Sequence, residues 1–188
     1  MARWNPGAGD RLREAALSLY LERGFEQTMV ADIADRAGVT ARTFFRYFAD
    51  KREVLFADAH ALEEEALAAL DGMPATTPAL DAVAAVLDTV AQMAGGDREL
   101  ARRRHTVIMA NADLRERELI KLTSLSAALT DRLRQRGIGA IEASLAAETS
   151  IAVFRVAFSQ WVTAAEERSL QDIMRETLHR LRSMAAGV

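Results

Sequence analysis

The 188-residue chain contains no cysteine. That excludes a disulfide framework and any thiolate-ligated metal site, and it leaves the compartment unassigned by redox chemistry. No apolar run approaches the roughly 20 residues needed to span a bilayer. The opening "MARWNPGAGDRLREAAL" lacks the apolar stretch of a secretory signal. A soluble cytoplasmic protein without a membrane partner is therefore the expectation. Only three prolines occur, Pro6, Pro74 and Pro78, so long helices can run uninterrupted between them. Aromatic residues are scarce at 6%, yet four of the eleven, Phe44, Phe45, Tyr47 and Phe48, crowd into five positions.

What is present is apolar residues in quantity, 50% of the chain, sufficient for a core and against disorder. The net charge of −3 is unfavourable for nucleic acid as a sum, but affinity follows the local patch. Residues 1–56 hold nine basic against eight acidic side chains, a slight positive excess, while the remainder is acidic. This asymmetry permits a nucleic-acid reading without requiring one.

Periodicity assigns an all-α fold of about nine helices. Leu12, Ala15, Ala16, Leu19 and Tyr20 form one stripe of a first helix, ended by Gly24 as a left-handed cap. A short helix over about 29–37 has Thr28 as its nearest cap. Gly38 breaks the chain and Thr40 caps a third helix. "DKRE", Asp50 to Glu53, resembles the capping box of a fourth helix running to Asp71. Further helices are expected over about 78–94, 97–111, 113–136, 140–166 and 169–185, the last capped by Ser169 with Asp172.

Within 30–47, Ile33, Ala34, Ala37, Gly38, Val39 and Phe44 stand at the offsets of a helix-turn-helix. Gly38 supplies the positive φ of the turn, and Val39 and Phe44 fill the angle between the helices. Phe44 and Phe48, four apart, share the core face. The exposed face carries Thr40, Ala41, Arg42, Thr43, Arg46 and Tyr47, with Phe45 outward or edgeways. A ring there can pack on sugar, a phenol can bond phosphate, and an arginine can grip guanine.

The stretch "GFEQTMVADIADRAGVTARTFFRYFADKREVLF", residues 24–56, resembles the DNA-binding domain of the TetR family of transcriptional regulators. The resemblance covers roughly residues 10–56. It implies a DNA-binding domain over 1–50 and an effector-binding and dimerisation domain over 51–188. By resemblance, Ala41 and Arg42 stand at base-reading positions, and Thr40, Thr43, Phe45, Tyr47 and Lys51 at backbone-contact positions. Thr28 and Arg46 complete the expected DNA-binding set. Two departures are visible: Phe45 where the family usually has tyrosine, and Met29 where a hydroxyl residue is common.

The last helix carries a stripe of Leu170, Ile173, Met174, Thr177, Leu178, Leu181 and Met184. The helix before it is alanine-rich and apolar on more than one face, so it is either buried within its own domain or covered by a second copy. The resemblance favours a homodimer through the last two helices, presenting two reading helices to a palindromic double-stranded DNA operator. It also implies a pocket for a small-molecule effector among the helices between about 50 and 166, and a faint likeness to regulators of acyl-CoA-like molecules. Arg155, amid Ile151, Val153, Phe154, Val156 and Phe158, is a candidate anion clamp there or a salt-bridge partner. "ARRRH", 101–105, reads as an exposed face, and Trp161 as core or interface. A fourth helix beginning at Lys51 would connect effector and DNA without a flexible linker.

An enzyme is the competing class. Glu176 to His179 matches Glu-x-x-His, but a di-iron site needs two such motifs and further carboxylates, and no second one exists. His60, His105 and His179 form no cluster in sequence, and there is neither a glycine-rich phosphate loop nor a nucleophile elbow. No catalytic residue, metal ligand or cofactor is expected. A purely structural helical adaptor, the third class, would not require the helix-turn-helix offsets.

Overall fold

The computed structural model describes residues 7–165 and 167–187. Among them are nine α-helices and no strand: α1 (Ala8–Arg23), α2 (Val30–Arg36), α3 (Ala41–Tyr47), α4 (Ala59–Asp71), α5 (Ala79–Ala94), α6 (Arg98–Ala110), α7 (Ala112–Gln135), α8 (Ala140–Thr163) and α9 (Leu170–Ala186). The expected fold class holds, and boundaries from α5 onward fall within a few residues of those read from the sequence. Helix four differs. Asp50 accepts from the amides of Arg52 and Glu53 at 2.7 and 3.2 Å, but the turn it caps is a short 3-10 helix over Glu53–Phe56. Only after Ala57 and Asp58 does α4 begin, so no continuous helix runs from Lys51 to Asp71.

The chain forms two compact units, and the first is discontinuous in sequence. It comprises residues up to Asp58 together with Arg103–Glu118, rather than ending at residue 50. Its interior is built by Leu12, Ala16, Leu19 and Tyr20 of α1, Ile33 and Ala34 of α2, Phe44 of α3 and the 3-10 residues Val54, Leu55 and Phe56. The α1 set follows the helical repeat, so one face of that helix is removed from water, whereas the consecutive Val54, Leu55 and Phe56 bury the 3-10 turn all round. Tyr20 is buried, donates its hydroxyl to the Lys51 carbonyl at 2.6 Å, and has its pKa raised by that burial. Arg103 reaches Glu14 and Ser18 at 3.2 Å. Arg104 donates to the Leu55 carbonyl and lies over the Phe56 ring, while Arg117 pairs with Glu53.

The second unit holds α4, α5, α8, α9 and the remaining parts of α6 and α7. Ala143, Ala146, Ala147 and Ala157 of α8 are buried; without bulk at these positions neighbouring backbones can come close. Trp161 is core, with its indole N–H donating to the Arg168 carbonyl at 3.1 Å. Of the α9 stripe, Leu170, Ile173, Met174 and Leu178 are buried, whereas Met184 is 81% exposed. Ser169 caps α9 by accepting from the Asp172 amide at 3.0 Å, as the sequence indicated.

The arginine run is tied to other segments, although Arg102 itself stays exposed. Arg102 donates to the Val162 carbonyl, and Arg98 to those of Trp161 and Ala164. Trp161 and Val162 supply last-turn carbonyls of α8, left without intrahelical partners, Ala164 is its C-cap, and two guanidiniums also suit the negative end of the helix dipole.

Candidate nucleic-acid interface

Helices α2 and α3 are joined by a turn that the local sequence dictates. After Ala37, Gly38 adopts φ +67°. A side chain there would meet open space, so glycine is required by backbone conformation alone. The chain returns with the Val39 amide donating to Ala34 at 2.9 Å. Thr40 then caps α3, its hydroxyl accepting from the Thr43 amide at 3.2 Å.

Phe44 anchors α3 from behind. It is fully buried, with its ring 5.5 Å from that of Phe48 and edge-on to Phe45 at 5.4 Å. With Phe44 and Phe48 inside, the helical repeat turns Ala41, Arg42, Phe45, Arg46 and Tyr47 outward, and all five are exposed. Thr43 is half-buried. The Arg46 guanidinium lies 5.2 Å from the Tyr47 ring centre. Arg42 and Arg46 have no carboxylate partner among the described residues, whereas Arg13 and Arg36 are ion-paired to Asp10 and Glu22. Two unneutralised cations therefore stand on a short helix held by a packed ring.

The Tyr47 ring also lies against the start of α1. A side-chain carbon at Gly9 would come within 3.3 Å of Tyr47 Cδ1, so the absence of a side chain at residue 9 lets the phenol settle there. Periodicity alone gave no sign of this, since Gly9 precedes the first apolar stripe.

Two expected contact residues are placed differently. Thr28 is buried, and its hydroxyl donates to the Gly24 carbonyl at 2.8 Å. The residue capping α2 is Met29, whose amide donates to the Asp32 carboxylate at 3.0 Å. Lys51 places its ammonium 4.3 Å from the Phe25 ring centre and donates to the carbonyls of Phe25, Glu26 and Thr28 at 2.8, 3.2 and 3.1 Å. All three N–H donors are engaged, so Lys51 clamps the α1–α2 turn instead of facing a phosphate. Lys51→Met is expected to destabilise the first unit by about 2 kcal/mol, since hydrogen bonds from charged donors are worth roughly 1.5–3 kcal/mol. Chemical denaturation measures that loss. In a salt titration of DNA binding the slope should stay unchanged, and a slope shallower by about one would restore the phosphate role.

Arg155 is not a buried clamp. It is exposed on α8, near Val156 at 59% exposure and on a helix that also exposes Ile141 and Leu145 at 73% and 64%. The opposite face of α8 is buried. Helix α8 is thus apolar on both sides, one packed and one open. Glu176 is ion-paired with Arg168 and Arg180 at 2.8 and 2.5 Å. No group of three potential metal ligands occurs among the described residues, and none of their helices is long and apolar enough to cross a membrane.

Comparison with known proteins extends this geometry. Residues 12–57 match the family model for bacterial regulatory proteins of the tetR family. Over 81 residues the chain is 42% identical to the HTH-type transcriptional regulator TcmR of Streptomyces glaucescens, covering 43% of this chain and 36% of that protein. The match therefore spans about a third of the curated relative's length. The fold is similar along nearly all of the chain to many solved structures, two of which illustrate it. One is the fatty acid degradation regulator FadR of Bacillus halodurans, with a TM-score of 0.64 and 17% identity over 95% of this chain and 96% of that one. The other is FadR of Bacillus subtilis in complex with stearoyl-CoA, with a TM-score of 0.64 and 21% identity over 92% and 96%.

Proposed function

We infer that this chain is a regulator of the tetR family, whose model residues 12–57 match, and that it is a transcriptional repressor whose α3 enters the major groove of a palindromic operator. The observation carrying this reading is the outward face of α3, with exposed Arg42 and Arg46 held rigid by a fully buried Phe44. Ala41 and Arg42 read bases. Thr40, Thr43 and Tyr47 position the helix on the sugar-phosphate backbone, contacts that orient the protein without reading sequence.

The open face of α8, with Ile141, Leu145 and Val156, supports a homodimer through α8 and α9. Three large apolar side chains in water on one helix favour burial by a second copy. Two-fold symmetry would then set two copies of α3 on half-sites about one DNA turn apart.

The effector is a small lipophilic molecule, and an acyl-CoA is the class suggested by the stearoyl-CoA complex of the Bacillus subtilis protein. It acts in the cytoplasm by linkage. Helices α6 and α7 each contribute residues to both units, so they are the elements through which a ligand in the second unit would bias the first. The effector shifts the equilibrium only by its differential affinity for the two states, and operator must weaken effector binding by the same factor.

The test is selection of bound fragments from the source genome with the full chain. A dimer of 20.6 kDa subunits should saturate a palindrome with steep salt dependence and release it on addition of stearoyl-CoA. Binding indifferent to sequence would reject the regulator reading. A monomer on the site would reject the dimer, and an acyl-CoA without effect would reject the ligand class.

A further inference from the structure

The outer surface of α3 carries two parallel rows. Ala41 and Phe45, four residues apart, lie one turn above the other, and Arg42 and Arg46 form the adjacent row. Both residues of the first row are exposed, Phe45 by 58%. A benzyl ring has no hydrogen to give a phosphate, so a hydrogen-bonded phosphate anchor is excluded at this position. What the ring offers is apolar area, and in a major groove the apolar feature of a base edge is the thymine 5-methyl group. The ring is also restrained, since it meets the buried Phe44 edge-on at 5.4 Å, and Phe44 is itself immobilised by full burial. That contact lowers the rotamer freedom to be lost on binding.

We propose that Ala41 and Phe45 read the 5-methyl group of a thymine adjoining a guanine gripped by Arg42, which makes Phe45 a specificity-determining residue. This rests on the DNA-binding reading above and sharpens it: each half-site contains a step in which a guanine edge and a thymine methyl are presented together.

The experiment enriches a randomised duplex library on the full-length chain and then replaces each thymine of the enriched site by deoxyuridine, which deletes only the methyl group. At one thymine or more per half-site, binding of the unsubstituted protein should weaken about 3- to 10-fold at fixed salt. Phe45→Ala should bind the thymine and uracil duplexes within about 2-fold of one another, while Phe45→Tyr keeps the discrimination. An enriched site insensitive to every thymine replacement overturns the proposal with the unsubstituted protein alone. So does a Phe45→Ala protein that retains the discrimination, which would return Phe45 to a sequence-neutral backbone contact. A library yielding no enriched site removes the DNA-binding reading itself, a failure distinct from either of these.

Discussion

Replacing Arg42 by alanine should lower affinity for the preferred duplex about 10- to 100-fold while changing affinity for random DNA by less than about 3-fold. The guanidinium is exposed and has no carboxylate partner among the described residues, so nothing within the protein competes for its donors. A bidentate grip on guanine contributes roughly 1–3 kcal/mol of discrimination. That energy disappears with the side chain only where guanine is present. Tyr47→Phe is the matched control. The Tyr47 ring keeps its seat against Gly9, and only a hydroxyl able to bond phosphate is lost, so all sequences should weaken alike. Competition shift assays at constant salt measure both. Equal losses on specific and random DNA for Arg42→Ala would demote it to a phosphate contact.

The second large effect is on stability. Phe44→Ala should destabilise the first unit by about 3–5 kcal/mol, the usual loss for a buried phenylalanine cut back to a methyl. Phe44 is fully buried, supports the rings of both Phe45 and Phe48, and lies at the angle between α2 and α3. Domains of this size are stable by only about 5–15 kcal/mol. The loss is therefore a large part of the whole, and specific DNA binding should fail well below the melting temperature of the unsubstituted protein. Urea denaturation monitored by circular dichroism reads it directly. A loss under 1 kcal/mol would mean the cavity closes and α3 is held by something else.

The helix-turn-helix was legible because its determinants are local. A glycine at positive φ, a threonine cap and two rings four residues apart act within one another's reach, and each was placed correctly. The misreadings share a different origin. Lys51 finds carbonyls 23 to 26 residues away, and Arg102, in the run read as an exposed face, caps a helix 60 residues distant. No sequence window contains both partners of such bonds. Asp50 does accept the expected amide bonds, yet such a motif begins a 3-10 turn as readily as a long helix. Arg155 failed for another reason. When a helix is apolar on both sides, periodicity cannot tell which side faces the core, and α8 turned Arg155 outward. Thr28, read as the nearest cap of α2 and a DNA contact, instead gives its hydroxyl to the turn that Gly24 opens.

The discontinuous make-up of the first unit bears on how such proteins can be recombined. Residues up to 58 look like a detachable module, yet Glu14, Ser18, Glu53 and the Leu55 carbonyl are all held by arginines at 103, 104 and 117. A chimera that transplants only the first 58 residues onto another sensor would leave those partners behind. Grafts carrying residues 103–118 as well should preserve operator choice, and the swappable part of this fold is thus a pair of separated segments.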